Sequence, residues 1–183
     1  MQLGLCLAGG GIKGAAHIGC IKAFEEAGIS FDYISGTSSG SIVACLYSLG
    51  YSADDMLDIF KKYCKKIKYI DFSTITKLIT GVALQSKFSI MGLNSGSIIN
   101  KLISKVAKEK NINNIRDIKR PLIIPSIDLK SGSILVFTSI QCRKTFSDNY
   151  IFVNNVPLGT CVQASCSFPR CVCSCALWKF SFS

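Results

Sequence analysis

The chain has 183 residues, 49% of them hydrophobic and only 17% charged. This suits one domain with a sizeable buried core, and excludes a multidomain array or an intrinsically disordered chain. The 21 Lys and Arg against 11 Asp and Glu give a net charge of +10, which suits a membrane surface or a nucleic acid without choosing between them.

Leu3 to Leu7 reads as a short buried strand running into the loop Ala8-Gly9-Gly10-Gly11. From Ile12 to Ala27, Ala16, Ile18, Ile21, Ala23, Phe24 and Ala27 recur at helical spacing, and Gly28 stops the helix. Phe31 to Ser35 is a second strand, Gly36 to Gly40 a tight turn, and Ser41 to Leu49 a second helix stopped by Gly50. Ser52-Ala53-Asp54-Asp55 is a capping box that opens a third helix through Ile67. Its apolar face is Met56, Ile59, Phe60, Tyr63, Cys64 and Ile67, and Lys61, Lys62, Lys65, Lys66 and Lys68 crowd the rest. Residues 71–93 are apolar without a clean period and read as a loop or lid. Asn94 or Ser95 caps a fourth helix with Ile98, Ile99, Leu102, Ile103 and Val106 inward. Leu122 to Ile127 and Ile134 to Ser139 read as strands joined by a turn at Lys130-Ser131-Gly132, and Pro157 opens a last helix through Cys166. Strand and helix alternate at the start, so the fold expected is α/β, a parallel sheet with helices on both faces.

Two glycine motifs carry the chemistry. Gly36-Thr37-Ser38-Ser39-Gly40 is a G-x-S-x-G between a strand and a helix, the setting of a nucleophile elbow. Ser38 would stand at the tip, beside a helix N-terminus whose N–H groups favour negative charge. The competing reading is an ordinary turn in which Ser38 or Ser39 caps the helix. Gly9-Gly10-Gly11-Ile12-Lys13-Gly14 leaves successive N–H groups free to hold an anion, a phosphate or an acyl-transfer oxyanion. It also fits the dinucleotide pattern G-x-G-x-x-G, but that pattern wants an acid at the end of the second strand. Asp32 begins that strand instead. A glycine loop and a serine turn on neighbouring strands favour an oxyanion hole with a nucleophile.

The runs Leu7 to Gly19 and Gly36 to Ser41 resemble the patatin-like phospholipase family. Gln163-Ala164-Ser165-Cys166-Ser167-Phe168-Pro169 is similar to the family's third conserved stretch, and Ile124 to Leu129 to its strand before an Asp-Leu pair. The resemblance implies an α/β hydrolase-related fold and a Ser–Asp dyad acting on lipid acyl esters. It makes Ser38 the nucleophile and Gly9, Gly10 and Gly11 the oxyanion hole, with Lys13 the basic position of the loop. Gly14, Gly36, Thr37, Ser39 and Gly40 complete the two motifs. No metal or organic cofactor is implied. His17, the only histidine, matches a motif position rather than a catalytic base and reads as structural.

The family's dyad Asp sits in an Asp-Gly-Gly or Asp-Gly-Ala motif after the third stretch. The 183 residues contain no Asp-Gly pair, and no acid follows Asp148. The pattern is lost at Arg170. We therefore expect a partial patatin-like domain over 1–169, incomplete at its C-terminal end, and a divergent, frameshifted or foreign tail over 170–183. Cys171, Cys173 and Cys175 in that tail lack zinc-ligand spacing and a nearby His, so no metal site is expected. Cys6, Cys20, Cys45, Cys64 and Cys142 read as small buried hydrophobes. No stretch has the roughly 18 charge-free apolar residues that span a bilayer, and Met1 to Ala8 does not make a secretory signal. The expected location is cytoplasmic or peripheral to a membrane. The expected partner is a lipid or other acyl ester, with contact to anionic membrane through the lysine-rich third helix and no nucleic acid. The alternative to an active hydrolase is a catalytically inactive remnant or lipid-binding scaffold.

Overall fold

A computed structural model of the chain describes residues 2–67, 95–141 and 149–167. Five strands form one sheet in sequence order: β1 (Gly4–Leu7), β2 (Tyr33–Gly36), β3 (Leu122–Ile127), β4 (Ile134–Thr138) and β5 (Tyr150–Val153). β1 and β2, β2 and β3, and β4 and β5 pair in parallel, while β3 and β4 form an antiparallel hairpin. The sheet is therefore mixed, mostly parallel. The hairpin follows from the short connection at Asp128–Ser133, too short for a parallel crossover.

The helices are α1 (Ala15–Glu26), α2 (Ser39–Ser48), α3 (Ala53–Ile67), α4 (Ser95–Glu109) and α5 (Leu158–Cys166). The connections from β1 to β2 and from β2 to β3 step the same way across the sheet, and right-handed crossovers then put their helices on one face. Accordingly α1 packs on α3, α3 on α4, α4 on α5, and α5 on α2. They cover the face of Leu7, Ile34, Leu122, Ile124 and Phe137. On the opposite face Cys6 and Tyr33 are exposed, whereas Val136 and Thr138 are buried.

α2 lies at the centre. Every residue from Ser39 to Tyr47 is buried, as a helix apolar on all sides requires. α3 turns its apolar stripe to the core through Met56 and Phe60, with Ile59 and Cys64 half-buried against it. The Ser52 hydroxyl accepts the Asp55 N–H at 3.2 Å and donates to the Asp55 carboxylate at 2.7 Å, so the expected cap opens this helix. α4 buries Ile99, Ile103 and Val106 as expected, and Ala107 besides.

Several details depart from the sequence reading. The first turn after the glycine loop is a 3-10 turn, Gly11–Gly14, and α1 proper starts at Ala15. Ile18 and Ile21 are buried, but Ala16, Ala23, Phe24 and Ala27 are exposed. β2 starts at Tyr33 rather than Phe31. Phe31 instead packs edge-on against Phe24 at 5.1 Å, and its N–H donates to the Tyr47 hydroxyl. Asp32 accepts the Leu3 N–H at 2.8 Å, a strand-pinning role unrelated to a ribose. α2 begins two residues early, at Ser39, so the turn before it is tighter than expected. β5 has no counterpart in the sequence reading. Cys45 is buried and Cys64 half-buried, whereas Cys6 and Cys20 are exposed. Cys142, the stretch 71–93 and the tail 170–183 lie outside the described residues.

Candidate active site

β1, β2 and β3 run in the same direction, so their carboxyl ends form one edge of the sheet. The glycine loop leaves β1 at that edge, and Ser38 follows β2 there. The Thr37 N–H donates to the Leu7 carbonyl at 3.1 Å, which holds the two connections together. The chain then reverses into α2 within two residues. A β-carbon on Gly36 would meet the Gly40 carbonyl, and one on Gly40 would lie 2.7 Å from the Ala8 carbonyl oxygen. Only glycine lets α2 sit this close to the strand ends.

The reversal forces Ser38 to φ 53° and ψ −125°, a conformation that L side chains rarely adopt. Such strain costs about 1–3 kcal/mol. Ser38 occupies the N-cap position of α2, yet its side chain makes no capping bond. Ser39 does not cap either: it lies within the helix, buried, and its hydroxyl has no hydrogen-bond partner among the described residues. The ordinary-turn reading therefore lacks the bond that would justify it, normally about 1 kcal/mol.

The two glycine motifs meet at Ser38. A β-carbon on Gly9 would lie 3.2 Å from the Ser38 β-carbon and 3.9 Å from its Oγ. Gly9, Gly10, Gly11 and Thr37 are exposed and Ser38 is half-buried, so the serine faces the loop at an open edge. Gly14 is buried against Ser39, and Lys13 is exposed on the 3-10 turn, its N–H donating to the Gly10 carbonyl at 3.1 Å. His17 Nε2 lies 2.9 Å from the Ala8 carbonyl oxygen, so its ring ties α1 to the start of the loop.

Three residues at the site were not singled out from the sequence as site residues. Ser41 donates to the Ser38 carbonyl at 2.6 Å. Ser165 and Cys166, at the end of α5, complete the floor: Ser165 Oγ accepts the Ser38 N–H at 3.1 Å, and Cys166 Sγ is 3.9 Å from Ser41 Oγ. The third conserved stretch carried the signal for the last two.

Most described carboxylates hold other partners. Asp54 bonds Lys22, Asp117 the Asn114 N–H, Glu109 the Tyr51 hydroxyl, and Asp128 the hydroxyl of Ser131 and the N–H of Lys130. Asp148 lies outside the described residues.

A mostly parallel sheet with a strained serine between strand and helix, faced by a glycine loop, is an α/β hydrolase-type architecture. The patatin-like phospholipase family model matches residues 5–170, and the chain belongs to that family. It is 32% identical over 134 residues to human patatin-like phospholipase domain-containing protein 6, across 73% of this chain and 9% of that protein. It is 45% identical over 65 residues to lysophospholipase NTE1 of Kluyveromyces lactis, across 36% of this chain and 4% of that protein. The chain thus spans a small part of these relatives. In the ExoU–SpcU complex from the type III secretion system of Pseudomonas aeruginosa, the match covers 92% of this chain and 36% of that chain. Its TM-score is 0.52 at 21% identity, a likeness of fold.

Burial pushes the Cys166 thiol up to about 11, against smaller downward pulls from the Ser41 and Ser38 hydroxyls. Burial raises the Cys45 thiol as well. Below about pH 9 the folded and unfolded chains both keep the Cys166 proton; from there to about 11 the unfolded chain loses it first. Stability therefore falls as pH rises through that window. Chemical unfolding across it should show the decline, and Cys166→Ala should remove part of it. An equally steep decline in the variant would contradict this assignment.

Proposed function

We propose that the chain is the nucleophile-bearing part of a lipid acyl hydrolase. Ser38 Oγ attacks the ester carbonyl, and the Gly9, Gly10 and Gly11 amides hold the oxyanion that forms. Lys13 adds positive charge beside that loop and favours anionic substrates. The observation that carries this reading is the strained Ser38 backbone without a capping bond: the conformation costs stability and returns none locally. Relatives named phospholipase and lysophospholipase support a lipid ester as substrate.

A serine hydroxyl needs a base to take its proton. No described carboxylate is hydrogen-bonded to Ser38, most hold structural partners, and the sequence has no Asp-Gly pair where the family keeps its dyad acid. No base for Ser38 is found among the described residues, and on this reading turnover by the chain is weak. That same absence is the one observation favouring the alternative, a non-catalytic lipid-binding remnant. A short-chain nitrophenyl ester separates the two. Weak turnover is expected, raised by added formate as a substitute base and abolished by Ser38→Ala. No turnover, or turnover that survives Ser38→Ala, would support the remnant.

Contact with anionic membrane is also proposed, with a changed physical basis. Met56 and Phe60 on α3 are turned into the core and are not free to insert into a bilayer. Lys61 and Lys62 are exposed on the same helix and act by charge. Among the described residues no helix is long and apolar enough to cross a membrane. Sedimentation with liposomes should depend on anionic lipid and weaken as salt rises. Equal binding to neutral vesicles at high salt would refute a charge-driven contact.

A further inference from the structure

We infer that Ser165 is a positioning residue for Ser38, a hydroxyl inserted into the β2–β3 ladder that holds the strained turn open. The inference rests on the hydrolase reading of Ser38, but its evidence is the register of the sheet. In the parallel ladder, the Ile34 N–H donates to the Pro121 carbonyl at 3.0 Å, and Ser35 pairs with Ile123. Donors on one side of a parallel strand recur at every second residue. Two rungs beyond Ile34 the donor is Ser38, and the acceptor opposite it on β3 is Pro125.

That rung is not closed directly. The Ser38 N–H donates to Ser165 Oγ at 3.1 Å, and the Ser165 hydroxyl donates onward to the Pro125 carbonyl at 2.8 Å. One hydroxyl accepts from one strand and donates to the other, so both backbone groups are satisfied while the strands part. Parting is what the turn needs, because β2 must leave the sheet plane at Gly36 to bring α2 onto the strand ends. Pro125 fits this place: it has no N–H of its own, so the rung asks only for a donor to its carbonyl.

Ser165 is delivered from the last turn of α5, which packs on both α2 and β3. Without its hydroxyl, the Ser38 N–H either closes on Pro125, pulling the turn toward the ladder, or stays unsatisfied. Either outcome shifts the Ser38 backbone, and a displacement on the order of 1 Å at a reacting group can cost about 100-fold in rate.

The test is the rate at which a fluorophosphonate labels Ser38 in the full chain, measured beside the melting temperature. Ser165→Ala should slow labelling about 10- to 100-fold through the maximal rate, with the half-saturating probe concentration unchanged. Ser165→Thr, which keeps the hydroxyl, should recover most of that loss. If Ser165→Ala does not fold, Ser165→Cys replaces it, since a thiol is a weak donor and acceptor and the same slowing is expected. Labelling of Ser165→Ala at the wild-type rate, or no recovery in Ser165→Thr, would overturn the inference. If the wild-type chain does not label at all, the hydrolase reading fails. The Ser38 backbone in a crystal structure of the Ser165→Ala variant then decides: departure from positive φ supports the inserted hydroxyl, and an unchanged turn overturns it.

Discussion

The first turn of α2 rests on the carboxyl ends of β1 and β2, and the site depends on how close that contact is. Side chains would normally separate a helix from a sheet. Here Gly36 and Gly40 remove them, and backbone meets backbone between Gly40 and the Leu7 and Ala8 carbonyls. Three consequences follow. The turn shrinks to Thr37 and Ser38, Ser38 is driven to positive φ, and the glycine loop lies against it.

Such a contact would not persist unaided. The burial of α2 on all sides supplies most of the restraint, because moving the helix off the strand ends would expose Ile42, Val43 and Leu46, each at most 3% accessible. Local hydrogen bonds set the detail. The Gly40 N–H donates to the Thr37 carbonyl at 2.9 Å, and the Ser41 N–H and hydroxyl both reach the Ser38 carbonyl. Ser165 satisfies the remaining Ser38 N–H from α5. Strain at one residue is thereby balanced by a hydrophobic core and a small polar network in which Ser165 holds the Ser38 N–H.

Much of this was legible in the sequence where a local rule was strong. Gly28 and Gly50 ended helices because each has a positive φ, 71° and 78°. Ser52 and Asp55 marked a helix start through a bond between neighbours. The serine turn was legible because its glycines answer a steric demand within five residues. What was not legible depends on partners distant in sequence. Alanines at helical spacing in α1 read as core, but only contact with α3 decides which side is buried, and Ala16 and Ala23 are exposed. β5 is four residues long and takes its stability from pairing with β4. Cys6 reads as core in an apolar strand, yet it lies exposed on the face opposite Leu7. Ser165 was legible as part of the third conserved stretch, but its link to Ser38 and Pro125 depends on the register of β2 and β3, which no short motif contains.

The chemistry divides along the same line. In the function proposed, the nucleophile and its oxyanion loop are local in sequence, since each follows one strand by a few residues. A base for the proposed nucleophile would come from elsewhere in the fold, and most described carboxylates serve as pins, caps and surface pairs. If the proposed function holds, a chain that accepts an acyl group and releases it slowly should accumulate the acyl-enzyme. The most direct measurement is mass mapping of the chain after incubation with an activated butyryl ester. A butyryl group on Ser38, absent from Ser38→Ala, is the expected result; butyrylation of other residues with Ser38 unmodified would contradict the assignment of the nucleophile.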